Sequence, residues 1–363
     1  AGGVTAAALA ELGAPLPLEV AGRPCRAIRP RYGRNAVTVR RETPLVQVVR
    51  RDRFDAYLLS LAHRAGAEVR HGVRVTEVEP HPDQVVIRSP RGTWRARVVI
   101  GADGAQSRVG LAVRPRFTRG DVGVCLVGEL PGPPEAWEPF LSDGLEVCYN
   151  TPAKGYGWLF PQEAALNVGI GSVAPRLASP RRELSRFLAL AGLPEPEHVR
   201  GAVLPLGGRN HPAQAGRIML AGDALGVADP FTGEGIRYAL ASGRIAGECA
   251  AAALRRSLTQ PDLTAYPLRW REAFGDDLRC ARLLARLYLA LDQRLNALVF
   301  RHPGLFERVA DILAGKGTYR QLVGELGRRL PGYWLRGLLT YLTPFRAGIR
   351  SEETATARRQ GKG

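Results

Sequence analysis

The hydrophobic positions between residues 51 and 101 change from helical to strand-like spacing. Apolar residues recur every three or four positions over 51–65, which predicts a helix that ends at Gly66. Strands are predicted next, at 68–78, 84–88 and 93–101. The run at 97–101 is almost entirely apolar, which is typical of a strand buried on both faces.

A different pattern covers residues 111–209. Its short alternating segments are separated by Pro and Gly, which predicts an antiparallel sheet that residues 20–50 would join. One capped helix is predicted inside this region, in the segment "ASPRRELSRFLALAGL". A strand at 216–221 and a helix at 235–254 then return to the α/β pattern, and the chain is predominantly helical from 259.

These patterns predict an α/β protein made of four parts. The parts are a discontinuous α/β domain (1–110 and 210–258), an antiparallel sheet domain (111–209), a helical region (259–343) and a disordered polar tail (344–363).

Composition narrows the class of protein. The chain has 363 residues, of which 45% are hydrophobic and 23% charged, as in ordinary globular proteins. No apolar run approaches the roughly 18–20 residues of a membrane span. The five cysteines are scattered without a C-x-x-C pair, and the histidines lack metal-binding spacing. We therefore expect a reduced, cytoplasmic protein without a metal site.

The net charge of +17 comes almost entirely from arginine. Such a charge suits an anionic cofactor or an anionic membrane surface, and it also suits general solubility. The arginines form no single tract with interleaved aromatic residues, so we expect no nucleic-acid partner.

Two aspartates stand at the predicted ends of strands. Asp223 ends "RIMLAGD", and the glycines at 233 and 235 open a long helix twelve residues later. A carboxylate at a strand end accepts hydrogen bonds from ribose hydroxyls, and a helix start offers free N–H groups. Asp103 occupies a similar position in "IGADGAQSRVG". The alternative is that both aspartates cap turns and the glycines shape a loop.

Three segments together resemble a known superfamily. "RRDRFDAYLL", "GADGAQSRV" and "GDALGVADPFTGEGI", in this order, resemble the FAD-dependent oxidoreductases that include the aromatic hydroxylases. "GYGWLFP" resembles the substrate-pocket motif of the geranylgeranyl reductases within that superfamily. "AGGVT" resembles the segment after their signature cysteine, and "GKGTYRQLV" resembles their C-terminal helices. The resemblance covers roughly residues 1–340.

The resemblance implies a Rossmann-like FAD domain of the glutathione-reductase type. The family's G-x-G-x-x-G fingerprint lies in an N-terminal βαβ unit, and no such motif occurs in this chain. We therefore expect the chain to lack that unit, and we expect the candidate catalytic cysteine upstream of Ala1. The strands near 98–101 and 218–221 would then show an uncovered side.

Several residues match the family's cofactor positions. By resemblance, Asp223 would bind a hydroxyl of the ribityl–ribose region, Arg51 would contact the phosphate or ribose region, and Val75 would face adenine. Gly235 and Ile236 would donate N–H groups to the isoalloxazine. The full expected cofactor set is Ala1, Gly3, Arg51, Val75, Asp103, Asp223, Gly233, Gly235 and Ile236. Asp103 would support the sheet end and nicotinamide-side access, and the alternative for Arg51 is a solvated arginine at a helix start.

The aromatic motif has a physical rationale as a substrate pocket. Tyr156, Trp158 and Phe160 alternate along a strand and so share one face, and Pro161 ends it. Aromatic faces stabilise positive charge that develops on an alkene carbon while they exclude water. The alternative is a plain sheet core.

The resemblance implies a FAD-dependent reductase that saturates C=C bonds of an isoprenoid or prenyl-lipid chain. NAD(P)H or another donor would reduce the FAD. The protein would bind peripherally to the inner face of an anionic membrane. A FAD monooxygenase or halogenase on the same scaffold stays open. Halogenases carry a lysine in the N-terminal half, whereas the first lysine here is Lys154. An inactive lipid-binding fragment is the alternative of another class.

Overall fold

A computed structural model describes residues 2–137, 141, 143–291 and 303–329. Ala1 and the predicted tail at 344–363 lie outside the described residues. The helices are α1 (Ala6–Leu12), α2 (Leu18–Ala21), α3 (Arg51–Arg64), α4 (Pro180–Ala191), α5 (Ile236–Arg256), α6 (Ala265–Trp270), α7 (Asp276–Ala290), α8 (Pro303–Leu313) and α9 (Tyr319–Arg329). The chain up to Tyr319 forms one compact unit, and a second unit begins at Arg320.

The strands belong to one large and three small sheets. They are β1 (Gly3–Thr5), β2 (Arg23–Cys25), β3 (Ala27–Tyr32), β4 (Asn35–Ala36), β5 (Val39–Arg40), β6 (Val46–Val48), β7 (Glu77–Pro80), β8 (Val85–Ser89), β9 (Gly92–Ala96), β10 (Val99–Gly101), β11 (Val122–Pro131), β12 (Gly144–Tyr149), β13 (Tyr156–Pro161), β14 (Ala165–Val173), β15 (Val199–Pro205), β16 (Gln214–Ala215) and β17 (Ile218–Leu220). Together with the helices they form a mixed α/β fold.

The large sheet has eight strands, in the order β15-β11-β14-β13-β12-β3-β4, with β5 also paired to β3. Its neighbours are antiparallel except for the parallel pair β3–β12. Phe187 of α4 packs against one face, where Gly157 leaves room for its ring. The aromatic strand β13 is therefore an inner strand, held on both sides by partners.

A small sheet of three strands positions the two strand-end aspartates, Asp103 and Asp223. β10 and β17 run parallel, and β16 pairs with β17 on its other side. Tyr238 and Ile245 of α5 pack on this sheet in one cluster with Val85 and Val109. Ile218, Met219 and Leu220 are consequently fully buried, so the uncovered side predicted for 218–221 was wrong. In β10, by contrast, Ile100 is 38% exposed.

The predicted elements between residues 51 and 101 were right in type and less accurate in extent. The helix at 51–64 is confirmed. The strand predicted at 68–78 is reduced to β7. The Thr76 N–H still donates to the Arg88 carbonyl of β8 at 2.9 Å, but no strand among the described residues pairs with 68–75. The strand predicted at 93–101 is two strands, since β9 pairs with β8 and β10 pairs with β17. Among the described helices, none combines the length and the apolar character needed to cross a bilayer.

Candidate functional site

Asp103 and Asp223 follow neighbouring parallel strands. Asp103 comes two residues after β10 and Asp223 three residues after β17, and the Ala221 N–H donates to the Gly101 carbonyl at 2.9 Å. Because the carboxyl ends of parallel strands meet at one edge, the two aspartates lie at the same edge of this sheet. In open α/β sheets that edge is where ligands bind.

Asp223 lies beside the start of α5. A Cβ added to Gly235 would sit 3.7 Å from Oδ1 of Asp223. Helix α5 begins at Ile236, and no side chain caps its N-terminus. Among the described residues, the Asp223 carboxylate forms no hydrogen bond within the protein, and burial raises its pKa. The structure thus brings together a free carboxylate and uncapped helix N–H groups, which suits a ligand that carries both hydroxyls and acceptors.

The carboxylate of Asp103 is occupied by its own loop. It accepts hydrogen bonds from the Ser107 hydroxyl, from the Arg108 N–H at 2.6 Å and from the Val109 N–H at 3.1 Å. Asp103 therefore has the geometry of a turn-forming residue at the sheet edge. This agrees with the alternative from the sequence, in which the strand-end aspartates cap turns.

Arg51 occupies the first position of α3. Its guanidinium pairs with Asp55 one turn later, at 2.9 and 3.0 Å, on the exposed side of the helix. Its positive charge also reaches Asp223 and partly offsets the rise in the pKa of that carboxyl. Ile236 packs against the cluster of Val4 and Phe54, which joins α3 to the start of α5. The predicted Arg51 and Asp223 therefore face a common region.

The loop between β17 and α5 is held by a buried acid. Asp229 is 1% exposed, and its Oδ1 accepts the N–H groups of Phe231 at 2.7 Å and Thr232 at 3.1 Å. Its Oδ2 accepts the Tyr319 hydroxyl at 2.7 Å. Burial raises the pKa of Asp229, and these hydrogen bonds partly offset the rise. They set the course of the loop from residue 229 to 235, in which Gly233 has a φ of 77°.

The aromatic side chains of β13 form a continuous row. The ring centroids of Tyr156 and Trp158 lie 6.1 Å apart, and those of Trp158 and Phe160 lie 6.3 Å apart. The indole N–H donates to Asn167 Oδ1 at 2.9 Å. Trp158 is paired in register with Gly169 of β14, and a side chain at Gly169 would overlap the indole. Sequence reasoning missed Gly169, whose signal was the small-residue pattern "NVGIG".

This row connects the glycine loop to the N-terminal strand. The Tyr156 hydroxyl donates to the Thr232 carbonyl at 3.1 Å. At the other end, a Cβ on Gly3 would lie 3.2 Å from the Phe160 ring. Gly3, Gly233 and the aromatic motif were each singled out from the sequence, and the structure brings them into contact.

Glu234 was not anticipated from the sequence. Its carboxyl group is hydrogen bonded to the hydroxyl of Thr5, which also accepts the Ala8 N–H at 3.0 Å as the N-cap of α1. Burial raises the pKa of Glu234 to about 7, and the Thr5 hydrogen bond works against that rise. A carboxyl group that titrates near neutral pH lies next to Gly235 at the start of α5.

Arg114 also went unnoticed. This side chain is 6% exposed, and its Nε and Nη2 donate to the Ala224 carbonyl at 3.2 and 2.7 Å. Its guanidinium lies 3.4 Å from the centroid of the Phe117 ring, which packs against Gly226. Burial lowers the pKa of Arg114. Arg114 and Phe117 thus hold the turn that carries Asp223.

Pro161 and Val75 were also predicted to belong to the site, and the structure places them at different sheets. Pro161 is buried at the end of β13, and Gln162 after it donates to the Val49 carbonyl at 3.3 Å. Val75 precedes β7 in a separate sheet, and no hydrogen bond or ring contact within the described residues joins it to Asp223. The described residues contain no group of three or more His, Cys, Asp or Glu side chains able to hold a metal.

Comparison with known proteins identifies the family, although no family profile matches the chain. The digeranylgeranylglycerophospholipid reductase 1 of Methanopyrus kandleri is 33% identical over 264 residues, which are 68% of this chain and 68% of that protein. The chain belongs to the geranylgeranyl reductase family. The recognition of that family from the three motifs and "GYGWLFP" is confirmed.

Solved structures support the same fold for this geranylgeranyl reductase family member. A geranylgeranyl bacteriochlorophyll reductase-like protein from Thermoplasma acidophilum superposes with a TM-score of 0.77 at 22% identity, over 91% of this chain and 88% of that one. HpxO from Klebsiella pneumoniae, crystallised with FAD and uric acid, has a TM-score of 0.61 at 21% identity and covers 86% of each chain.

Proposed function

We propose that this reductase saturates C=C bonds in the isoprenoid chains of a prenyl lipid, with FAD as its cofactor and NAD(P)H or another donor as the source of electrons. The curated relative from Methanopyrus kandleri is named for a digeranylgeranylglycerophospholipid. One observation carries the proposal in this chain. The segment 232–235 contacts Tyr156 of the aromatic row at one end and lies beside the Asp223 carboxylate at the other, which supports a cofactor site and a substrate wall that share one loop.

The residues at this site fit FAD. The Asp223 carboxylate has no hydrogen-bond partner within the described residues, and a ribityl or ribose hydroxyl supplies a donor. The Gly235 and Ile236 N–H groups begin an uncapped helix, and flavin carbonyl oxygens supply acceptors. Gly235 carries no side chain that would keep a planar ring away from the backbone, whereas the corresponding space at Gly233 is filled by the Tyr156 hydroxyl. When bound and reduced, FAD supplies the hydride that such a reduction requires.

In this proposal, FAD binding and substrate binding belong to different sheets of the fold. We propose that the sheet β10-β17-β16 with α5 is the Rossmann-like FAD-binding unit of the glutathione-reductase type. Arg51 contributes positive charge near Asp223, while Asp103 shapes the sheet edge through its own turn. The eight-stranded sheet then provides the substrate wall.

In this proposal the aromatic row of β13 excludes water from the alkene and stabilises the charge that develops on it. Trp158 is 5% exposed and its N–H is satisfied by Asn167, so its face is fixed in orientation. Such a face excludes water and stabilises positive charge that develops on the alkene carbon. The Tyr156 hydroxyl is directed to the Thr232 carbonyl, which leaves the ring to contact the chain of the lipid.

The test is reduction of a defined lipid by purified protein supplied with FAD. We expect the protein to bind FAD and, with dithionite as reductant, to add one H₂ per double bond to digeranylgeranylglycerophospholipid, as measured by mass spectrometry. Incorporation of oxygen with consumption of O₂ would favour the monooxygenase alternative. Lipid binding without FAD binding would favour the lipid-binding alternative.

A peripheral membrane location follows from the same proposal. The net charge of +17 favours anionic surfaces, and a prenyl lipid resides in the bilayer. We expect the protein to sediment with vesicles that contain anionic lipid at low salt, and to remain in solution with vesicles of neutral lipid.

A further inference from the structure

The proposed function described above assigns no role to Glu234. It lies directly between Gly233, which contacts Tyr156, and Gly235, which lies beside Asp223. Its carboxyl group is hydrogen bonded to the hydroxyl of Thr5, the N-cap of α1, which is 229 positions away in the sequence. A half-buried carboxyl group therefore sits at the centre of the loop that joins the proposed cofactor and substrate sites.

We propose that Glu234 takes up a proton when the bound flavin is reduced and releases it when the flavin is reoxidised. This inference rests on the proposed function. Reduction adds two electrons and one proton to the flavin and leaves one negative charge on it. The second proton goes from solvent to the Glu234 carboxylate, so that the site gains no net charge overall.

The contact with Thr5 allows both protonation states. The Thr5 hydroxyl has one proton and two lone pairs, and one lone pair accepts the Ala8 N–H. Its proton is donated to Glu234 when Glu234 is a carboxylate. The second lone pair is available to accept from Glu234 when Glu234 is protonated. A backbone N–H in the same place could donate to either form, but it could not accept the proton of the neutral acid.

The surrounding charges hold Glu234 close to its titration point. Burial and the nearby Asp229 carboxylate raise its pKa, whereas the Thr5 hydrogen bond and the positive charge of Arg237 lower it, to a result of about 7. Tyr238 lies on the following turn, and its own pKa is raised by burial first and then by the negative charges of Asp229 and Glu234. A new negative charge near the start of α5 therefore shifts Glu234 toward its protonated form.

The experiment is a reduced-minus-oxidised infrared difference spectrum of the FAD-loaded protein, recorded with dithionite as reductant between pH 6 and pH 9. We expect reduction to produce the C=O stretch of a protonated carboxyl group, shifted in D₂O, and we expect this band to be absent in Glu234→Gln. The surface variant Glu195→Gln is the matched control and should retain the band. An unchanged band in Glu234→Gln would overturn the inference.

A second variant covers the case in which Glu234→Gln does not fold. Thr5→Val removes a hydrogen bond that favours the carboxylate, so the band should develop at a higher pH than in the wild type, whereas Thr5→Ser should leave that pH unchanged. A band with the same pH dependence in Thr5→Val would contradict the inference. Failure of the wild type to bind FAD would instead overturn the proposed function itself.

Discussion

The hydroxyl group of Tyr156 lies against Gly233 so closely that any side chain at position 233 would overlap it. The same hydroxyl donates to the carbonyl of Thr232, the preceding residue. This contact sets the distance between the aromatic strand β13 and the loop before α5. Two segments that were identified separately in the sequence thus become parts of one site.

The variant Gly233→Ala should reduce the free energy of unfolding. Its φ of 77° is unfavourable for alanine and its Cβ would overlap Tyr156, which together cost on the order of 2–4 kcal/mol. Denaturation in urea measures the loss. Gly216→Ala is the matched control, since Gly216 also has a positive φ but has open space around its Cβ, and should cost about 1 kcal/mol.

The overlap itself is tested by a double-mutant cycle. Tyr156→Phe removes the hydroxyl group, so the Gly233→Ala change should cost less in that background than in the wild type. Strict additivity of the two changes would show that the Tyr156 contact is not what makes glycine necessary at 233.

The variant Asp223→Asn should weaken FAD binding. Loss of a charged hydrogen-bond acceptor costs about 1.5–3 kcal/mol, which corresponds to a dissociation constant roughly 10–100 times larger. Titration by flavin fluorescence measures the change. Asp83→Asn, at an exposed position, should bind FAD as the wild type does. An FAD affinity equal to that of the wild type in Asp223→Asn would show that Asp223 does not bind the cofactor.

The stability of the protein should depend on pH through Glu234. Its pKa is raised from 4.5 to about 7 in the folded state, so the folded protein binds the proton more tightly than the unfolded chain does. The resulting stabilisation is complete below pH 4.5 and is lost as the pH rises to 7, by up to about 3 kcal/mol.

Urea denaturation of FAD-free protein at several pH values measures this dependence. In Glu234→Gln the fall in stability between pH 5 and pH 7.5 should be smaller than in the wild type. An identical pH profile for the two proteins would show that Glu234 titrates normally in the folded state.

The variant Trp158→Phe should separate substrate reduction from FAD binding. It removes the largest aromatic face of the row and leaves Asn167 Oδ1 without its donor. We expect a fall in the rate of alkene reduction of about tenfold, the equivalent of 1.4 kcal/mol, with FAD affinity unchanged. Trp94→Phe, in the β8–β9 hairpin, is the control. A wild-type rate in Trp158→Phe would favour the plain sheet core.

The variant Arg114→Met should loosen the turn that carries Asp223. The Ala224 carbonyl would lose both of its guanidinium donors inside the protein, at a cost of about 1–3 kcal/mol. We therefore expect lower stability together with weaker FAD binding, measured by urea denaturation and flavin titration. Arg116→Met, at an exposed position two residues later, should change neither quantity.

Local patterns predicted the elements of the site well. The helical spacing in 51–65 indicated α3, the alternation of aromatic residues indicated β13, and the apolar run before Asp223 indicated β17. Each of these three elements was predicted from the residue pattern of a single segment, which can be read from the sequence alone. The pattern was less reliable at 68–78, because an extended segment becomes a strand only where a partner is available.

The sequence by itself determined which residues have chemistry to offer: Asp223 at a strand end, glycines before a helix, and an aromatic row. Only the tertiary structure decided which of them meet. Thr5 and Glu234 are 229 positions apart, and Arg114 and Ala224 are 110 apart, yet each pair is hydrogen bonded. Such pairs depend on how separate elements pack together, and the spacing of residues within one segment contains no information about that packing.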